Sequence, residues 1–356
     1  MTVYVLVAII LLIGGMSRQK KTIYQVGFSI LFLLTALRSP KLAGSDYYAY
    51  SGHFTATPSL LEGKNIQDGY YEVGFNFFVA LVKTFSNEYV FFQIAYSVLV
   101  FLLMYYVIRE LQLTDGQKCL FLFSFFCFHF IWDTWVILRQ NIADWIYWLL
   151  LILIYKCPCE RKKRKYVLIV FAALLPILFH STAKLNIVLL PVMLMIGKIG
   201  SKKRLIWVPI ISLLLFITGD KLYNFVCSLV LPYMRWDMAK YTMTESNSIN
   251  FFIRLALFML FAWHYEAEEY PQKQLTLDTF TMMVLIGSFN NVVTTRMYEY
   301  YAIGMYSSMA LVLNSFEKES KVIAYLLYGV AMIFILMRFV MTFDGGQAFM
   351  NYSLFF

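Results

Sequence analysis

The sequence predicts an all-α, polytopic transmembrane helical protein, and three observations lead there. Of its 356 residues 60% are hydrophobic and only 14% charged, against roughly 45–50% and about 25% in soluble domains. The apolar residues come in blocks, such as Thr2–Met16, Tyr89–Val107 and Leu205–Ile217, with the charges crowded into short gaps between them. A bilayer core of about 30 Å takes a helix of about 20 residues. The length therefore holds roughly a dozen crossings and no sizeable extramembrane domain, so residues 1–356 read as a single integral membrane domain. Nucleic-acid binding, cytosolic metabolism and a secreted disulfide scaffold are all argued against.

Spans are expected near 2–16, 22–37, 89–109, 117–132, 134–155, 166–180, 183–197, 205–219, 251–264, 275–293, 297–315 and 322–341. The first lacks a basic leader and a clear small-residue cleavage site, so it is taken as a retained span rather than a signal peptide. The net charge of +9 has a topological cause, because cytoplasmic loops gather Lys and Arg. Four basic gaps, at 18–21, 161–165, 198–204 and 318–321, are thereby placed in the cytoplasm. An even number of crossings must separate the first two, and spans 22–37, 89–109, 117–132 and 134–155 supply four. The apolar stretch 71–85, which carries Glu72, Asn76 and Lys83, is then a re-entrant or interfacial helix on the outer side rather than a fifth crossing. Both termini and the polar stretches 38–70 and 220–250 fall outside the cytoplasm, and loops that long are uncommon unless functional. The five cysteines are scattered, and Cys157-Pro158-Cys159 lacks the spacing of a zinc site.

An ionisable side chain at the centre of a membrane helix costs about 2.5–3.5 kcal/mol on insertion scales, so it normally faces a protein interior. Six such groups share the expected outer face. Arg38 leaves span 22–37 there, and Asp46 and Glu72 follow in the outer loop and the re-entrant segment. Arg139 lies inside the outer end of 134–155, His180 closes 166–180, and Arg296 sits between 275–293 and 297–315. Gln140, Asn141 and Asp144 follow Arg139, and so polar a turn inside a span implies a polar cavity. Plainer roles stay open: Arg38 as an interfacial anchor, Asp46 capping a turn, Glu72 capping the next helix, and His180 as an interfacial histidine. Tyr47, Tyr48 and Tyr50 are candidate stacking surfaces for sugar rings.

Arginines, a histidine and carboxylates at an outer cavity suit a lipid-linked anionic substrate. Arg grips diphosphate oxygens in a planar fork and keeps its charge, and preorganised charge stabilises a departing diphosphate. Arg139 and Arg296 are the expected diphosphate ligands, with Arg38 assisting. His180 is the first choice of general base and Glu72 and Asp46 its rivals, since either group type can take a proton from an attacking hydroxyl. Gln140, Tyr47, Tyr50 and Tyr300 complete the expected substrate contacts. No Asp-x-Asp pair stands in an outer loop to hold a metal, so neither a metal nor another cofactor is expected.

The motifs carry a resemblance. Arg38 followed by Gly44-Ser45-Asp46-Tyr47-Tyr48-Ala49-Tyr50 is similar to an Arg…Gly-Thr/Ser-Asp-Tyr-x-x-Tyr signature. Glu72-Val73-Gly74-Phe75 resembles a Glu-Pro-Gly-Phe element, with Val73 in place of proline. Leu138–Ala143 resembles Leu-Arg-Gln-x-Ile-Ala, Phe179–Ala183 resembles Phe-His-x-Ser/Thr-Ala, and Arg296…Tyr300 resembles a late Arg-x-x-x-Tyr. In this order they resemble the EpsG family of bacterial exopolysaccharide proteins, related in role to Wzy-type repeat-unit polymerases. The resemblance implies a multi-pass protein of the bacterial cytoplasmic membrane. It implies a glycosyltransferase that joins polyprenyl-diphosphate-linked oligosaccharides (undecaprenyl diphosphate carriers) outside that membrane, for capsule, O-antigen or biofilm polysaccharide. The implied partners are the lipid-linked oligosaccharide, the lipid bilayer and other polysaccharide-assembly proteins, with no nucleic acid. A transporter or flippase of the same lipids is the alternative of a different class, although transporters often show internal repeats and none is evident here. A membrane O-acyltransferase, which also employs His and Arg, is the second enzymatic alternative.

Overall fold

The computed structural model describes residues 2–39, 42, 45–67, 70–158, 160–230, 248–264, 271–289, 292–313 and 318–342. Its regular structure is helical, with no β-strand among these residues. In chain order the helices are α1 (Thr2–Met16), α2 (Lys20–Ala36), α3 (Ser45–Ala56), α4 (Val73–Lys83), α5 (Tyr89–Glu110), α6 (Asp115–Phe128), α7 (Leu138–Lys156) and α8 (Lys162–Leu174). They continue with α9 (Asn186–Ile196), α10 (Ser201–Val230), α11 (Ser248–Trp263), α12 (Pro271–Gly287), α13 (Val292–Glu299), α14 (Ile303–Val312) and α15 (Lys318–Thr342).

Most helices stand on the apolar blocks, and the departures have local causes. The stretch 38–70 contains α3, because Tyr50 and Phe54, one turn apart, are buried on the same side and meet Phe75, Tyr89 and Phe92. The expected span 166–180 gives way after α8 to a tight turn, Leu175–Leu178, where Pro176 has no N–H for the α-helical ladder. A second tight turn, Ser181–Leu185, leads into α9. The expected span 297–315 is split into α13 and α14, and the Tyr300 carbonyl between them accepts the Trp148 indole N–H at 2.9 Å. Helix α10 continues to Val230, so the amino-terminal part of the stretch 220–250 is helix rather than loop; residues 231–247 lie outside the described residues.

Among the described residues two helices, Tyr89–Glu110 and the Ser320–Met337 portion of α15, are long and apolar enough to cross a bilayer by themselves. Other apolar helices, among them Thr2–Met16, Ser181–Ile196 and Ile303–Val312, are shorter, so among the described residues a dozen crossings are not each matched by a full-length apolar helix. The outer surface nevertheless carries apolar stripes at helical spacing. Ile206, Ile210, Leu214 and Ile217 are exposed along α10, and Ile323, Leu327, Val330 and Phe334 along α15. Contiguous exposed apolar surface of this kind marks contact with lipid or a partner.

Inside this surface α6 packs against α1, α2 and α14, and α12 packs against α14 and α7. Helix α14 is buried on nearly every side, which suits a segment hydrophobic all round. It approaches α12 closely because Gly304 has no side chain; a β-carbon there would overlap the Phe280 amide nitrogen.

Helix α7 is the axis that positions the polar groups. Arg139 and Tyr155 are separated along it by about 24 Å at 1.5 Å per residue, and a polar cluster forms at each end. At the Tyr155 end, Arg204 and Asp278 form a fully buried ion pair at 2.6 Å. Arg204 also donates to the Ile196 and Ile199 carbonyls, while Asp278 accepts from Gln274 and Tyr155. The pair thus ties α12 and α7 to the turn between α9 and α10. Deleting one member leaves a buried charge without compensation. Asp278→Ala should therefore lower unfolding stability in detergent by about 3–5 kcal/mol, measured as a fall in thermal midpoint. An unchanged midpoint would show that the pair does not hold this end together.

Candidate functional site

The opposite end of α7 gathers residues from five separate segments. Glu72 directly precedes α4, but its side chain does not cap that helix. One carboxylate oxygen instead accepts from Arg139 Nη1 at 2.5 Å, and the other accepts from the Ser181 amide at 2.8 Å. Gly74 makes this approach possible, because a β-carbon there would meet the Leu178 carbonyl oxygen at 2.7 Å. The guanidinium of Arg139 lies over the Tyr71 ring, 4.4 Å from its centre, and the hydroxyl of buried Tyr50 also meets it.

His180 follows in the chain beside Ser181. Its Nδ1 is 2.6 Å from the Thr182 hydroxyl, which is in turn 3.2 Å from the Tyr300 hydroxyl. The ring is half-buried, with Arg139 and Arg296 within electrostatic reach. Arg296, on α13, stacks over Trp132 at 4.7 Å. Its carbonyl accepts from Gln140 Nε2 at 2.7 Å, and the same nitrogen is 2.6 Å from Glu299 Oε2. Trp132 donates to the other oxygen of Glu299, so Glu299 is held from two sides. Trp132 opens a π-type turn, Trp132–Val136, between α6 and α7, a distortion frequent at functional sites.

Asp46, in the first turn of α3, is half-buried and lies within electrostatic reach of Arg296 and Arg139. Burial pushes its carboxyl above the ordinary carboxylate range, and the two arginines pull against that shift. Burial likewise raises the Tyr50 phenol.

Of the residues singled out in the sequence, Asp46, Tyr50, Glu72, Arg139, Gln140, His180, Arg296 and Tyr300 thus meet around one end of α7. Arg38 is placed differently. It is 1% exposed, which rules out a snorkelling anchor, and it donates to the Thr35 and Trp135 carbonyls. In this position it braces the end of α2 against the turn before α7. Tyr47 packs edge-on to Tyr89 and beside Tyr48, outside the hydrogen-bonded chain that runs from Arg139 to Tyr300. Among the three tyrosines of α3, Tyr50 is buried in ring contacts whereas Tyr48 is 71% exposed. Thr182, Trp132, Tyr71 and Glu299 were not among the expected site residues. Position 299, one helical turn after Arg296, is the one that spacing alone could have flagged.

A model of the EpsG family matches residues 21–354. The chain belongs to the EpsG family. No curated protein and no solved structure matches it. Membership makes it a membrane protein of exopolysaccharide biosynthesis, in a family associated with polysaccharide polymerisation. The expected motif residues Glu72, Arg139, His180, Arg296 and Tyr300 all lie inside the matched range.

The Glu72–Arg139 contact is partly buried, with side-chain exposures of 15% and 20%, so it is screened less than a surface pair. A double-mutant cycle with Glu72→Gln and Arg139→Gln should return a coupling of about 1–3 kcal/mol in unfolding free energy. A coupling near zero would mean that the two side chains do not hold α4 to α7.

Proposed function

We propose that this EpsG-family protein is a polysaccharide polymerase of the bacterial cytoplasmic membrane. It joins polyprenyl-diphosphate-linked oligosaccharide units at the extracytoplasmic face. A hydroxyl of the acceptor sugar attacks the anomeric carbon of the donor; the bond from that carbon to the diphosphate oxygen breaks and its electron pair leaves with the diphosphate. Arg139 and Arg296 hold the diphosphate and balance the charge that develops on it. The hydroxyl proton passes to His180. What carries this reading is the convergence of two arginines and a histidine, from α7, α13 and the turn before α9, at one end of the helix bundle.

Among the three expected bases, Glu72 has both oxygens engaged by Arg139 and Ser181. His180 has a hydrogen bond on Nδ1 and none on Nε2 among the described residues, which favours it. Asp46 remains the rival. Arg38 acts by bracing the α2 end rather than as a direct ligand, and Tyr48 offers the open ring for sugar stacking. Other polysaccharide-assembly proteins are the expected partners.

The test is reconstitution in lipid nanodiscs with cognate lipid-linked repeat units, read as product length. Wild type should lengthen the units. His180→Ala should slow the reaction by at least about 100-fold, the usual scale of a general base, and Arg139→Ala and Arg296→Ala should do so through binding and rate together. Movement of the units across the bilayer without lengthening would instead support the transporter alternative. A pH profile separates the bases. Because burial holds the Asp46 carboxyl above its ordinary value, a rate that depended on ionised Asp46 would climb as pH rises through that raised value. Asp46→Asn would abolish the climb. A profile unchanged in Asp46→Asn and lost in His180→Ala assigns the base to His180.

A further inference from the structure

The His180 ring is held from behind by a line of hydroxyl groups that leads into the protein. His180 itself has an extended backbone, and the tight turn that follows brings the Thr182 hydroxyl back onto Nδ1 at 2.6 Å. Thr182 is 3.2 Å from the Tyr300 hydroxyl. Tyr300 is fixed in turn, since it is buried, its carbonyl accepts the Trp148 indole and its ring packs edge-on against Tyr147 at 5.8 Å.

Such a line has two directions, because each hydroxyl both donates and accepts. Either Nδ1–H donates to Thr182, Thr182 to Tyr300 and Tyr300 inward, or every bond runs outward and the ring proton sits on Nε2. The inner end decides between them. Positions 140, 144 and 148 share one face of α7, one turn apart. Gln140 on this face bonds Glu299 and the Arg296 carbonyl, and Trp148 bonds the Tyr300 carbonyl. Asp144 lies between them and must face the same segment. It is 1% exposed, and neither of its oxygens has a hydrogen-bond donor among the described residues. Both Glu299 oxygens are already engaged. Asp144 is also the charged group that acts most strongly on the Tyr300 phenol. A buried carboxyl oxygen without a donor is costly, and the Tyr300 phenol hydrogen is a donor on the facing segment that reaches Asp144 across one water.

We propose that Thr182, Tyr300 and Asp144 form an orienting relay that keeps the His180 proton on Nδ1 and leaves the Nε2 lone pair for the acceptor hydroxyl. This rests on His180 being the base of the polymerisation reaction proposed above. When Nε2 takes the hydroxyl proton the ring carries two N–H groups, and the inward one stays bonded to Thr182. After release of the product the Nε2 proton returns to water. Thr182, Tyr300 and Asp144 are positioning residues, acting on the substrate through the ring. The charged groups around the relay are Arg139 and Arg296 beside His180, Glu299, Asp133 and Arg296 beside Asp144, and Glu72 and Glu299 beside Tyr300.

The experiment is nitrogen-15 NMR of histidine-labelled protein in nanodiscs, at a pH where the ring is neutral. The His180 signals are assigned by their loss in His180→Gln. The relay expects a protonated Nδ1 and a bare Nε2 in wild type, and a shift toward the other tautomer in Thr182→Val and Tyr300→Phe. Thr182→Ser, which keeps the hydroxyl, should restore the wild-type spectrum. In the polymerisation assay the same two variants should lose about 10- to 100-fold in kcat, the scale seen when the partner that orients a metal-ligating histidine is removed, with KM little changed. A wild-type ring protonated on Nε2, or a spectrum indifferent to Thr182→Val, overturns the relay whatever the activity. If His180→Ala polymerises like wild type while the spectra behave as stated, the assignment of the base fails and the relay stands as a ring-orienting structure.

Discussion

Glu72 divides its carboxylate between two elements that are far apart in the chain, the first turn of α7 through Arg139 and the turn before α9 through the Ser181 amide. Most of the site geometry depends on that division. It sets α4 against Leu178, places His180 one residue from a fixed amide and turns the Arg139 guanidinium onto Tyr71. A charged group in a lipid-facing protein is tolerated when it is enclosed and paired, and here one anion supplies the pairing for a cation and the anchor for a backbone turn. The remaining cation, Arg296, is held by stacking on Trp132, which leaves its charge less fully matched.

Both polar clusters sit at the ends of α7 for related reasons. The middle of α7 is buried and aromatic, with Trp145, Tyr147 and Trp148 packed against Phe125, Tyr300 and Tyr306. At one end an enclosed ion pair, Arg204 with Asp278, is satisfied in full by carbonyls, an amide and a phenol. At the other end the polar groups are only partly satisfied: Asp144 and one oxygen of Asp133 accept no bond from a described residue. The first arrangement is what a structural fastening needs, and the second is what a reacting centre tolerates.

The helical, lipid-facing class was legible from composition alone, and most helices from the apolar blocks. The grouping of Arg139, His180 and Arg296 was legible because a parity count over the basic gaps put them on one face. Spacing could not show how those groups were connected. Thr182 looks like an ordinary turn residue, and its importance comes from the ring it touches and the phenol behind it. Arg38 looked like the other arginines in sequence, yet its carbonyl partners come from segments 97 residues apart in one case and 3 in the other, which no local pattern discloses. The break between α13 and α14 was hidden for the same reason, since it depends on an indole reaching a carbonyl from another helix.

Helix α14 has a consequence for how the protein is made. At about 1.5 Å per residue its ten residues reach only about 15 Å, half a bilayer, and almost none of its surface meets lipid. Such a segment cannot be released sideways into the membrane as an independent unit during translation. Its seat is formed by α6, α11 and α12, so it has no stable place until those helices have packed around it.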